Sequence, residues 1–289
     1  MNKINVMTMS MVRMILGKYR FDHDRSEMED LYEEILDMVK RAGFDGVDVM
    51  SWEQKILGRD YVKEQLKKRG LKVSSYIHFD FYAQDIAVKE RIQAGYEAAD
   101  TAVFLETAVL MLVPMGHEDI ERESPGTIHQ RLIRHFIPIA AYAVEKGLQP
   151  VIENTPDLRL HLCEARDVQA VLDAVPNLKL VYDSGNTLLG GEDPVAYLQA
   201  FAHRIGYVHL KDIQIAKAET PGGEKMQDGT PVETVHTGTG IIDIPGVIKA
   251  LRESGYLGGI TVEFAKKPDL SYEDSLLVSR KYVAALLKA

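Results

Sequence analysis

The chain has 289 residues, with 43 acidic against 34 basic side chains for a formal net charge of −9; 46% of its residues are hydrophobic and 27% charged. That composition fits a globular protein with a sizeable core, and its acidic balance speaks against non-specific binding to nucleic acid or to an anionic membrane, which favour basic surfaces. A single cysteine, Cys163, rules out an internal disulfide and fits a reducing compartment.

The opening "MNKINVMTMSMVRMILG" places Lys3 ahead of an apolar run, as a secretory leader does. Asn5, Thr8, Ser10 and Arg13 interrupt that run and no small-residue cleavage site follows, so it reads as a first strand and the start of its loop. No segment reaches the roughly 18 uncharged apolar residues of a membrane helix. A cytoplasmic protein without membrane or nucleic-acid partners is expected.

Short β-rich runs then alternate with stretches of helical period. The first strand is "INVMTM" (4–9), followed by a helix over "MEDLYEEILDMVKRAG", which sets Leu31, Ile35, Met38 and Val39 on one face and ends at Gly43. "GVDVM" (46–50) is the second strand, and the helix "DYVKEQLKKRG" closes at Gly70. Strands three and four are "LKVSSYIHF" (71–79) and "AVLMLVP" (108–114), followed by a long helix, "TIHQRLIRHFIPIAAYAVEKG", in which Pro138 predicts a kink. Strand five, "QPVIEN" (149–154), precedes the helix "EARDVQAVLDAV". Strand six, "LKLVYD" (178–183), precedes "DPVAYLQAFAHR"; both helices open on acidic residues, as the positive end of a helix dipole favours. Strand seven is "IGYVHL" (205–210) and strand eight "GGITVEF" (258–264), and "SYEDSLLVSRKYVAALL" closes the chain as a helix.

Eight strands in β-then-α order predict a single-domain α/β fold, a (β/α)8 TIM barrel over 1–289. A doubly wound sheet is disfavoured by its usual strand number and by the absence of a glycine-rich phosphate loop after the first strand. The polar, glycine- and proline-rich stretch 214–236 is long for a βα connection and reads as a loop or arm after strand seven. It is also the surface through which a homo-oligomer would pair.

Chemistry concentrates at the strand ends. Glu153 ends strand five, Asp183 strand six, His209 lies near the end of strand seven and Glu263 ends strand eight. In a barrel those ends converge on one rim. If Val151, Val181, Tyr207 and Thr261 face inward, the residues two further on do too. Any one of the four reads equally well alone as a helix cap, an ion-pair partner or a core histidine. Four at successive strand tips are harder to explain that way, because three crowded carboxylates repel and a divalent cation removes the conflict. The donor set suits Mn2+ or Mg2+, with Co2+ or Zn2+ as alternatives.

The ordered pieces Glu153-Asn154, Asp183-Ser184-Gly185-Asn186, His209-Leu210-Lys211-Asp212, Gly238-Thr239-Gly240-Ile241-Ile242-Asp243 and Glu263 resemble the xylose-isomerase-like TIM-barrel superfamily, and within it the sugar-phosphate isomerase/epimerase branch. The resemblance spans essentially the whole chain. It implies one divalent metal ion, Mn2+ first, on Glu153, Asp183, His209 and Glu263, with Glu153 and Glu263 also the acid/base pair of an enediolate reaction. The implied enzyme is an isomerase or epimerase of a small sugar, sugar phosphate or related polyol ketone. Loss of a β-hydroxyl from the same enediolate would instead give a dehydratase of the inosose type.

Two departures matter. Many relatives carry His where this chain has Asn186, which can hydrogen-bond a substrate hydroxyl but is a poor metal ligand. The arginine that some ketose 3-epimerases place six residues after the strand-seven histidine is Ile215 here, which argues against 3-epimerisation of a free ketose. An apurinic-site DNA endonuclease, the reading from another class, needs extra histidines; His78 matches one, whereas Val113 and Asn186 replace two others. A non-catalytic sugar-binding protein sits poorly with an intact pair of glutamates.

Further substrate-binding candidates are Asn186, Lys211, His78, His117 and Trp52. Lys211 should face the rim, to grip a phosphate or neutralise an oxyanion, with an ion pair to Asp212 as the structural alternative. His78 ends strand three, His117 and His236 sit on loops of the same face, and Trp52, the only tryptophan, follows strand two, where it would stack on a sugar or pack beneath a loop.

Overall fold

A computed structural model describes residues 2–8, 11, 25–81, 87–116, 120, 123–218 and 223–289. Eight parallel strands close a barrel: β1 (Ile4–Met7), β2 (Gly46–Met50), β3 (Lys72–Phe81), β4 (Val109–Met115), β5 (Gln149–Glu153), β6 (Lys179–Asp183), β7 (Ile205–Leu210) and, after a two-stranded excursion, β10 (Ile260–Val262). Their order around the barrel is β1-β10-β7-β6-β5-β4-β3-β2. The (β/α)8 barrel expected from the strand alternation is the fold.

The helices follow from local pattern. In α1 (Arg25–Ala42) the buried stripe is Met28, Leu31, Tyr32, Ile35, Leu36, Met38, Val39 and Ala42, and Gly43 ends it at φ 84°. Between β2 and β3 lie α2 (Ser51–Leu57) and α3 (Arg59–Arg69), the latter closed by Gly70 in the left-handed region, where its N–H reaches back to the last turn. α4 (Val88–Phe104) was not foreseen, because its buried face holds Gly95, Ala98, Ala99 and Ala102 rather than large apolar residues. Those small residues let it lie close against α5 (Pro125–Glu145), where a Cβ on Gly95 would strike Ile139. α5 runs through Pro138 as one helix. α6 (Ala165–Ala174), the short α7 (Ser184–Leu189), α8 (Pro194–Phe201), α9 (Ile244–Glu253) and α10 (Tyr272–Leu286) complete the shell. Among the described residues, no helix is long and apolar enough to cross a membrane.

Two apolar layers result. One joins the outward faces of the strands to the helices. The other fills the barrel and contains Met7, Met50, Ile77, Met111, Val113, Val151, Val181 and Tyr207, with Thr261 bonded to the Tyr207 hydroxyl. Val151, Val181, Tyr207 and Thr261 thus face inward, as strand alternation requires for Glu153, Asp183, His209 and Glu263 to do the same.

The 214–236 arm is an antiparallel hairpin of β8 (Asp212–Ile215) and β9 (Val232–Val235), starting two residues earlier than the composition suggested. Ile215 ends its first strand and is 58% exposed.

Candidate metal centre

The sequence motifs prove to be devices for fixing strand tips. Asn154, next to Glu153, accepts a hydrogen bond from the Asp183 N–H at 2.9 Å and donates to the Asp183 carbonyl and the Thr187 hydroxyl. It therefore ties β5 to the end of β6. Asp183 caps α7, its Oδ1 accepting from the Asn186 N–H at 2.6 Å. Ser184 donates to the Lys211 carbonyl and accepts the Lys211 N–H, joining β6 to β7. Gly185 leaves room for the Lys211 side chain, whose Cβ, Cγ and Cδ any added methyl would strike. Asp212 accepts from the N–H groups of Gly238, Gly240 and Ile242, so the G-x-G-x-x-D segment is wrapped around one buried carboxylate. Glu263 lies one residue past β10, its N–H still bonded to the Leu210 carbonyl.

Held this way, Glu153, Asp183, His209 and Glu263 each offer one ligand atom, and the four atoms lie within 4.8 Å of one another. His209 Nδ1 is 2.6 Å from Glu153 Oε1 and 3.5 Å from Glu263 Oε1. On the opposite edge of the ring, Nε2 lies 3.2 Å from Asp48 Oδ2. Asp183 Oδ2 is buried without a hydrogen-bond partner among the described residues. Three carboxylates, an imidazole nitrogen facing them and an orphaned buried oxygen fit a hard divalent cation.

The electrostatics express the same crowding. Asp183 is pushed well above the usual carboxylate range, by burial first and by Glu263 and Glu153 after it. Burial pushes Glu263 the same way, but Lys211 and His209 outweigh it and hold Glu263 down at about 2. Burial disfavours charge on His209, yet Glu153, Asp48 and Glu263 raise it well above the ordinary imidazole range.

A family model described as a xylose isomerase-like TIM barrel matches residues 36–282. The chain belongs to that family. Inosose dehydratase of Geobacillus thermodenitrificans is 26% identical over 273 residues, covering 88% of this chain and 89% of that protein. Among solved structures, an L-ribulose 3-epimerase superposes with TM-score 0.74 at 16% identity, covering 100% of this chain and 95% of that one. A probable 3-DHS dehydratase from Bacillus anthracis superposes at 0.71 with 15% identity, covering 98% of both chains. The likeness to these enzymes runs over nearly the full length of each chain.

Within the barrel of this xylose isomerase-like protein, the remaining candidates separate. Lys211 is buried at the rim, its ammonium bonded to Asn186 Oδ1 at 3.2 Å and to Glu224 of the arm. Glu224, and not the Asp212 of the structural alternative, is the partner, because Asp212 is consumed by the backbone of the glycine loop. Burial opposes the Lys211 charge, but Glu224, Glu263 and Asp183 outweigh it and hold the ammonium above its ordinary range. Trp52, on α2, is half-buried and packs against the interior layer at the mouth. His78 is not brought to the cluster. Ile77 and Phe79 face the interior, so His78 points to the other face, where burial and then Lys55 push it down to about 4. His236 is tied to α10 through Ser275 and Ser279. His117 lies outside the described residues.

Asp48 is the residue that sequence reasoning missed. It is fully buried on β2, accepts from Ser74 and Tyr207 at 2.6 and 2.7 Å, and faces His209 Nε2. A carboxylate between Val47 and Val49 in an otherwise apolar strand was the available signal.

Proposed function

We propose that the protein is a divalent-metal-dependent isomerase or epimerase of a small polyol ketone, working by proton transfer next to the carbonyl, with Glu153 and Glu263 as the acid/base pair. The observation that carries this reading is their placement. They stand on β5 and beyond β10, with β6 and β7 between them, and both reach the same edge of His209. Two carboxylates brought to one point from separate strands could take a proton from one face of a carbon and return one to the other, which inverts the centre. Return to the neighbouring carbon by the same group moves the carbonyl and gives the isomer.

Glu153, Asp183, His209 and Glu263 would hold the metal. A divalent ion there, with Mn2+ the first expectation, would supply positive charge to offset the negative charge developing on substrate oxygens. Asp48 fixes the tautomer and angle of His209. Lys211 places a second positive charge at the rim, and the apolar interior tips Met50, Phe79, Met111 and Met115 shield the reacting carbon from water.

Dehydration is the second reading, favoured by the full-length likeness to an inosose dehydratase. It uses the same abstraction, followed by loss of a hydroxyl from the next carbon. Solvent deuterium exchange into a panel of ketoses, ketose phosphates and inososes tests both. The manganese-loaded protein should label one substrate class, and Glu153→Gln or Glu263→Gln should lower the rate by roughly 10²–10⁴-fold. A product that keeps every oxygen identifies the isomerase or epimerase; release of water identifies the dehydratase. Labelling that survives both substitutions would refute the acid/base pair.

A further inference from the structure

We propose that Glu224 makes this site select an uncharged polyol ketone over its phosphorylated or carboxylated counterpart, by occupying on Lys211 the place an anionic substrate group would take. The inference rests on the reading of the preceding subsection and narrows its substrate class. Among the described residues the buried lysine and arginine side chains are Arg91 and Lys211; Arg91 lies on α4 in the helical shell, so of the two it is Lys211 that stands at the barrel mouth.

Its ammonium is already engaged. The Lys211 side chain is 5% exposed and its Nζ meets a Glu224 carboxylate that is itself only 29% exposed. Glu224 is built into the arm: its carbonyl accepts the Val232 N–H at 3.1 Å, and its second carboxylate oxygen faces the Thr234 hydroxyl at 3.5 Å. Arg159, on the loop after β5, is closed in the same manner by two hydrogen bonds to Asp157. With one divalent ion bound, Glu153, Asp183, Glu263 and Glu224 together still outnumber the positive charges of the ion and the ammonium. An incoming phosphate dianion thus meets a negative surplus and a lysine whose charge is spent on a shielded partner. A neutral polyol loses nothing by that arrangement.

The experiment titrates inorganic phosphate into the manganese-loaded wild type and Glu224→Gln by calorimetry. It also compares deuterium exchange into a free ketose with exchange into the same ketose phosphorylated at its far end. Glutamine keeps an acceptor for Lys211 and removes the charge. Phosphate should bind Glu224→Gln about tenfold tighter, the scale of one charge-assisted hydrogen bond, and the phosphorylated-to-free ratio of kcat/KM should rise by a similar factor. Adding Lys211→Met should erase the gain. Glu224→Ala serves as the second variant if the arm tolerates glutamine poorly. Equal phosphate affinity in wild type and variant, or a wild type that prefers the phosphorylated ketose, overturns the proposal. If the wild type labels no substrate at all, the proposed reaction fails, while the phosphate titration still decides the role of Glu224.

Discussion

At the scale of single residues, Asp48 and Glu53 show how far a buried carboxylate can matter without touching a substrate. Asp48 satisfies three donors at once, and His209 is held between it and Glu153. Removing such an outer partner of a metal-ligating histidine costs about 10–100-fold in metal affinity. Asp48→Asn should weaken manganese binding by that order, read directly by calorimetry; unchanged affinity would show that Asp48 serves only its Ser74 and Tyr207 contacts. Glu53, buried on α2, accepts from the Met50 N–H and lies against the Thr8 hydroxyl. Burial pushes its carboxyl up from 4.5 to about 7, against the downward pull of those two hydrogen bonds. A raised acid favours the fold fully below its unfolded value, and that contribution is lost as pH rises through the folded one. Stability from this group should therefore fall between pH 4.5 and about 7, by about 3 kcal/mol in all. Urea unfolding of wild type and Glu53→Gln, near pH 5 and near pH 8, should show the glutamine variant gaining on wild type at the higher pH. A gap that stays constant would refute the buried-acid account.

At the scale of elements, strands were legible because their apolar runs are short and bounded, and their tips announced the cluster. The runs 46–50 and 205–210 match β2 and β7 residue for residue. The eighth barrel strand, read as 258–264, shortens to Ile260–Val262, since Gly258 and Gly259 precede the ladder. What stayed hidden depended on packing across the chain. The alanine face of α4 carries no strong period, and Asp48 looks like any acid until the far wall of the barrel supplies Tyr207 and His209. The ion pair of Lys211 with its neighbour Asp212, the structural alternative, does not form, because Asp212 gathers three backbone N–H groups that sequence adjacency could not reveal. Asp212→Asn places an amide where three donors converge. It should cost about 1–3 kcal/mol of stability and loosen the start of α9, with manganese affinity retained. A variant that melts like the wild type would show the glycine loop to be self-supporting.

At the scale of the whole molecule, the closed barrel divides its mouth in two. Strands β5, β6 and β7 and the end of β10 contribute Glu153, Asp183, His209, Lys211 and Glu263, while β1 to β4 contribute Met7, Met50, Ile77, Phe79, Met111, Val113 and Met115. The charged half is under mutual repulsion that a cation relieves. Manganese at a hundred times its Kd should therefore stabilise the fold by about 2.7 kcal/mol, raising Tm by roughly 5 °C for a chain of this size. A chelator should reverse the rise, and Glu153→Gln should abolish it. A melting point indifferent to both would count against a metal centre.

The hairpin bearing Glu224 leaves the barrel after β7 and returns before α9, so it contributes no strand to the closed sheet. Its sequence can drift while the strand tips stay fixed. A substitution in this one appendage can then change what meets Lys211, and so which molecules are admitted, without moving any strand tip.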